Sequence, residues 1–274
     1  MSDPIIVSRD GPVARITLNR PEVHNAFDEQ VIAGLQAAFD GLRDDASVRV
    51  VVLAGEGRSF SAGADLDWMR RAATWSEEEN RRDATALAKM LRTIAEFPKP
   101  VVARVHGSAF GGGAGLVAAS DIAIASDEAM FGFTEVRLGL VPATIAPHVV
   151  EKIGLGRALP LFLTGERFDA RHAAEIGLVH QCVLAGELDD ALNVIIQLLL
   201  TAGPEAQAAC KTLVRTVAAS ERSTVDEYTA DLIARIRTSP EGREGVTAFL
   251  EKRKPAWITH SPLPPRGRGA GGEG

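Results

Sequence analysis

Two short stretches of small residues and one glutamate carry the residue types from which chemistry can be built. Phe110-Gly111-Gly112-Gly113-Ala114-Gly115 follows the apolar run Pro100 to His106 and precedes the small-residue run Ala114 to Ser120. Glycines without a Cβ let a ligand approach the backbone, and unpaired N–H groups at a helix start favour negative charge. A second stretch, Ser59-Phe60-Ser61-Ala62-Gly63-Ala64-Asp65-Leu66, follows the apolar run Val48 to Ala54. Two such loops, each leaving a buried strand, can aim one N–H apiece at a single oxygen, which is an oxyanion hole made of main chain. Further on, Phe131-Gly132-Phe133-Thr134-Glu135-Val136-Arg137-Leu138-Gly139-Leu140-Val141-Pro142 sets Glu135 among apolar residues. Such surroundings disfavour the charged carboxylate and raise its pKa, which suits acid–base work. Both patterns also have plainer readings. The glycines can form a tight strand-to-helix turn, and Glu135 can be a structural partner of Arg137 or Arg167.

The elements that must hold these groups follow from the apolar pattern. Pro4 to Arg9 and Val13 to Asn19 read as two short strands around Asp10-Gly11-Pro12. Val31, Ile32, Leu35, Phe39 and Leu42 recur at helical spacing within Asp28 to Arg43. Val48 to Ala54 is a strand buried on both faces. Ser76 with Glu79 forms a capping-box pattern for a helix running towards Phe97, which Pro98 and Pro100 end. Strands follow at Pro100 to His106 and Asp121 to Ser126. Strands alternating with helices predict a parallel sheet. After Val141 the pattern is mostly helical, with helices expected at 145–153, 158–164, 170–176, 188–201, 204–219, 225–238 and 242–254. The stretch from Ser261 to Gly274 is Pro-, Gly- and Arg-rich, as expected of a disordered tail.

The 274 residues suffice for one large domain or a domain with a helical appendage. A formal charge of -6 argues against nucleic acid as the main partner. Cys182 and Cys210 offer no metal spacing and no disulfide framework, so a reducing compartment fits. Neither a signal peptide nor a membrane span is expected: 191–202, the nearest candidate for a span, is short and interrupted by Asn193 and Gln197.

Taken in order, several motifs resemble the enoyl-CoA hydratase/isomerase family, the crotonase fold. They are Leu18-Asn19-Arg20-Pro21 with Asn25-Ala26, Phe60-Ser61-Ala62-Gly63-Ala64-Asp65, the glycines at 111 to 113, and Thr134-Glu135 with Gly139-Leu140-Val141-Pro142. Leu163-Thr164-Gly165, Ala173-Ala174-Glu175-Ile176-Gly177-Leu178-Val179 and Phe249-Leu250-Glu251-Lys252-Arg253 continue the series, so the likeness spans about Ile5 to Trp257. The resemblance implies an α/β fold with a ββα-spiral core over 1–195, a helical trimerisation region over 196–260 and the tail over 261–274. It implies a homotrimer or hexamer acting on an acyl-CoA thioester, with coenzyme A as part of the substrate. No separate cofactor and no metal are indicated, and a cytoplasmic setting is expected. The N–H groups of Ala64 and Gly112 would bind the thioester oxygen. Glu22, Val23 and Ala62 would hold adenine and pantetheine, and Phe249 and Lys252, from a neighbouring subunit, would meet the CoA phosphates. Asp65, Leu66, Trp68, Gly111, Gly115 and Pro142 complete the expected substrate-binding set.

One position departs from the family pattern. Hydration usually employs two glutamates there. Glu135 matches the second, but the first falls at Gly115. A single carboxylate suffices for hydration if it takes water's proton and then gives it to carbon, and it also suffices for double-bond isomerisation. The segments 64–69 and 134–143 look similar to hydratases of branched glutaconyl-type thioesters, while Ala143-Thr144-Ile145-Ala146 stands where a glycine-rich stretch is usual. A non-catalytic acyl-CoA binder is the third reading. Asp65 also reads as a helix N-cap. Asp67 reads as a solvated first-turn acid or a pocket residue, Trp68 and Met69 as pocket or core, and His148 and His24 as bystanders.

Overall fold

The computed structural model describes residues 3–258. The tail expected from Ser261, with residues 259 and 260, lies outside them. Strands β1 (Ile5–Asp10) and β2 (Val13–Leu18) form an antiparallel hairpin, and β2 pairs in parallel with β3 (Val50–Gly55). The sheet continues in parallel through β4 (Val101–Val105), β6 (Ile122–Ser126) and β9 (Gln181–Val183), in the order β1-β2-β3-β4-β6-β9. β3 is buried along almost its whole length, as its β-branched run requires, whereas β1 at the edge buries only Ile5.

Helices close over this sheet. Asp28 caps α1 (Glu29–Arg43), its carboxylate accepting from Val31 N at 2.9 Å, and the five predicted apolar positions are all buried. The Ser76–Glu79 capping box opens α3 (Glu77–Ala95), which buries Leu87, Met90, Leu91 and Ile94. Phe39 of α1 meets Phe97 edge to face at 5.2 Å. Between them in sequence, α2 (Leu66–Ala72) starts at Asp65. The helix after the glycine run, α4 (Gly112–Ala119), is buried from Gly113 onward, as a helix of small apolar residues must be.

The pattern reading missed a second sheet. β5 (Ser108–Phe110), β7 (Met130–Gly132) and β8 (Arg167–Asp169) pair in the order β5-β7-β8, parallel then antiparallel. Three residues are too few to show a period. The helices α5 (Ala146–Ile153), α6 (Leu155–Thr164) and α7 (Ala170–Glu175) complete this part of the chain.

Two compact units divide the chain, the first ending at Leu192 and the second beginning at Asn193. The second holds the end of α8 (Leu188–Thr201) with α9 (Pro204–Ala219), α10 (Arg222–Thr238) and α11 (Pro240–Leu250). Within it the Glu241 carboxylate accepts from the N–H groups of Glu205 and Ala206 at the start of α9. α11 ends at Leu250, earlier than the expected 254. Lys252 takes φ 55°, and Arg253 N donates to Ala248 O at 2.9 Å, a left-handed closure of the helix.

Candidate active site

The first loop is pinned by the main chain of Phe27. Phe27 N donates to Gly63 O at 2.7 Å, and Asp65 N donates to Phe27 O at 2.8 Å. This parallel bridge uses the residues on either side of Ala64, so Ala64's own N–H finds no protein acceptor among the described residues, and Ala64 is exposed. Beneath the loop, Asp65 caps α2. One oxygen accepts from Asp67 N at 2.8 Å and Trp68 N at 3.1 Å, and the other from Arg20 at 3.0 Å. Burial pushes Asp65's carboxyl up, but those two N–H groups and Arg20 outweigh it and hold the pKa below the usual range. Arg20 also pairs with Asp28 at 2.8 Å and donates to Ala26 O at 2.9 Å, so one guanidinium ties the starts of α1 and α2. Asn25 accepts from Arg20 N and donates to Glu56 O and Ser59 O.

The second loop follows β5. Gly111 takes φ 48°, a conformation that excludes ordinary side chains, and its N–H donates to Gly132 O at 3.0 Å. The next two glycines answer packing: a Cβ on Gly112 would stand 2.8 Å from the Phe27 ring, and one on Gly113 would stand 2.5 Å from Ser61 O. The run is therefore a tight strand-to-helix turn as well as an approach to the backbone. Gly112 N, at the first position of α4, has no protein acceptor among the described residues. The two loops touch. A Cβ on Gly63, itself at φ 96°, would lie 3.2 Å from Phe110 O and 4.0 Å from Gly111 N.

Glu135 comes to this junction from the 3₁₀ turn Thr134–Leu138. Its Oε1 lies 3.2 Å from where a Cβ on Gly111 would be. Its Oε2 is buried with no hydrogen-bond partner among the described residues, and burial raises its pKa above the ordinary glutamate value. Among the described residues no ion pair reaches Glu135. Arg137 reaches Thr164 O instead, and Arg167 stands over the Phe110 ring at 4.6 Å. Neither arginine is the structural partner that the plainer reading required.

The remaining expected residues divide. Glu22 and Val23 lie in a short 3₁₀ turn, and the next residue, His24, accepts from Ala62 N at 2.9 Å, so these three candidates are neighbours. Leu66 is exposed, Pro142 is buried, and Trp68 packs against the core. Asp67 is an exposed partner of Arg70. Asp65 was expected to line the substrate, but both its oxygens are committed to the α2 cap and Arg20. Gly115 is buried beneath Ile145, whose Cγ2 lies 2.3 Å from a Cβ built there. Phe249 and Lys252 belong to the second unit, where Phe249 is 82% exposed at the end of α11. Arg20 and Ile145 enter the sequence reading only as members of longer stretches, with no role of their own. The Asn19-Arg20-Pro21 motif was a signal for the first; the second rests on a contact between distant residues. Among the described residues no three His, Cys, Asp or Glu side chains gather to hold a metal ion.

Residues 8–260 match the sequence profile of the family described as enoyl-CoA hydratase/isomerase. A short-chain-enoyl-CoA hydratase of Clostridium acetobutylicum is 31% identical, the alignment covering 91% of this chain and 95% of the relative. A carnitinyl-CoA dehydratase of Salmonella arizonae is 34% identical, over 95% and 100%. The crystal structure of an enoyl-CoA hydratase from Shewanella pealeana superposes with a TM-score of 0.90 at 40% identity, covering 93% of this chain and 96% of that one. With its paired loops, crotonase-like fold and a family match over residues 8–260, the chain belongs to the enoyl-CoA hydratase/isomerase family.

Proposed function

We propose that this protein hydrates the double bond of an enoyl-CoA thioester, with Glu135 as the single acid–base group and the N–H groups of Ala64 and Gly112 as the oxyanion hole. The observation that carries this is Glu135 itself: half-buried and, among the described residues, without an ion pair, with one oxygen unsatisfied and the other against Gly111. Ionised Glu135 takes a proton from water as the water oxygen bonds to C3. The C2–C3 π electrons move onto the thioester, giving an enolate whose oxygen the two N–H groups hold. Glu135 then returns its proton to C2, so one water has been added. Its raised pKa makes the protonated intermediate state easier to reach. A single hole donor is worth about 3–4 kcal/mol in other enzymes.

Coenzyme A in this reading lies along Glu22, Val23 and Ala62, and Phe249 and Lys252 of a neighbouring subunit meet its phosphates in a homotrimer or a pair of trimers. The exposure of Phe249 supports that role. A cytoplasmic setting belongs to the same proposal; no helix of the described residues is long and apolar enough to cross a membrane.

A second reading, isomerisation of a 3-enoyl thioester by Glu135, draws support from the single carboxylate. The test is to mix the protein with a short trans-2-enoyl-CoA and follow loss of conjugated absorbance, with Glu135→Ala as control. Glu135-dependent loss with a 3-hydroxyacyl product by mass supports hydration. Gain of conjugation from a 3-enoyl-CoA without hydration moves the assignment to isomerase. Inactivity on both, and on branched glutaconyl thioesters, overturns both in favour of a non-catalytic binder.

A further inference from the structure

Ala64 directly precedes Asp65, the N-cap of α2, so the direction of its N–H follows the seat of that helix. The seat is a slight one. A helix of seven residues is too short to be stable alone, and none of the seven is fully buried. Its place depends on what its side chains grip. Asp65 grips Arg20 at one end. Arg71 grips Glu29 at 2.6 and 2.8 Å, but both are exposed, where ion pairs contribute little. At the far end the Asn80 amide of α3 donates to Ala72 O at 3.3 Å.

Trp68 is the α2 residue that packs on the apolar core. Its Nε1 is buried without a fully formed hydrogen bond among the described residues. The acceptor it acts on is Asp83, half-buried on α3. Burial pushes the Asp83 pKa up, the Trp68 N–H draws it down, and Glu29 pushes it up again. No ion pair reaches Asp83 among the described residues. A carboxylate drawn out of water without a cation costs stability, and so does an indole N–H shut away from water. Each offsets the other. Trp68 N also donates to Asp65 Oδ1 at 3.1 Å, which ties the residue facing Asp83 to the one following Ala64.

We propose that Asp83 is a positioning residue: through the Trp68 N–H it seats α2 on α3 and so sets where the Ala64 N–H points. The contact is independent of any activity. Its catalytic consequence rests on the hydratase reading, in which that N–H holds the enolate oxygen.

Two measurements on the full-length chain test it. The first is a thermal-stability cycle of Trp68→Phe, which keeps a ring and removes the N–H, Asp83→Ala, and the pair. Asp83→Ala is expected to lower Tm by roughly 2–4 °C, and the pair to lower it by clearly less than the two single losses added. Strictly additive losses overturn the contact. The second is steady-state kinetics on trans-2-enoyl-CoA. In Asp83→Ala, kcat and kcat/KM should fall together by roughly 10-fold, as for a donor moved off line rather than a lost binding contact. Asp83→Asn keeps an acceptor oxygen for the indole and should recover most of that loss. Unchanged kcat in Asp83→Ala, or an Asp83→Asn variant just as slow, overturns the positioning role. If the wild type shows no Glu135-dependent turnover, the hydratase reading and the catalytic consequence fall together, and the stability cycle still decides the contact.

Discussion

Asp65 and Glu135 are two carboxylates at the two sides of one pair of loops, and their surroundings are opposite. Asp65 receives two backbone N–H groups and a guanidinium, which together hold its pKa down. Glu135 is taken out of water, which raises its pKa, and no ion pair reaches it among the described residues. A satisfied carboxylate is stable and inert; it fixes where Ala64 sits. An unsatisfied one costs stability and is available for proton transfer. The contrast separates scaffold from proposed chemistry more clearly than proximity does, since Asp65 directly follows Ala64 and Glu135 lies against Gly111.

The largest effect expected from this contrast is catalytic. Glu135→Ala should lower kcat for hydration by about 10²–10⁴-fold with an unchanged circular dichroism spectrum. An equal loss in Asp65→Ala at unaltered Tm would erase the distinction. Next comes the cap: Asp65→Ala removes the α2 N-cap, worth about 0.5–2 kcal/mol, and leaves Arg20 with one partner fewer, so Tm should fall while some activity remains. The third is a sign. Glu135's folded pKa lies above its ordinary value of 4.5, so its contribution to stability is full below about pH 4.5 and is lost as pH rises through the folded pKa. Glu135→Gln should therefore raise Tm at pH 7 to 8, with the gain vanishing in acid; a gain that persists in acid would mean that charge burial is not its origin. The smallest is Arg20→Lys. It keeps the charge but loses the fork that spans Asp28 and Asp65, and should cost about 1 kcal/mol in denaturant unfolding.

What could be read from sequence was local. The Asp28 and Ser76 caps, the apolar stripe of α1 and the buried run of β3 each depend on residues within a few positions of one another, and all are found in the structure. The glycine run announced a strand-to-helix turn for the same reason. What escaped depends on distant residues meeting. The strands of the second sheet are three residues each and exist only through pairing. Arg20 gathers Ala26, Asp28 and Asp65, the last of them 45 positions away. Gly115 read as a missing group; only the fold reveals that residue 145 has taken its volume.

One rung of that second sheet has a wider consequence. Phe110 of β5 pairs with Gly132 of β7, and Gly111 N closes onto Gly132 O. The turn bearing Glu135 and the helix start bearing the Gly112 N–H thus leave the same rung, two or three residues out. Their spacing is inherited from main-chain hydrogen bonding, which side-chain replacement barely alters. Side chains elsewhere on the fold can then be exchanged while the separation of the Glu135 turn from the Gly112 N–H stays set by the main chain.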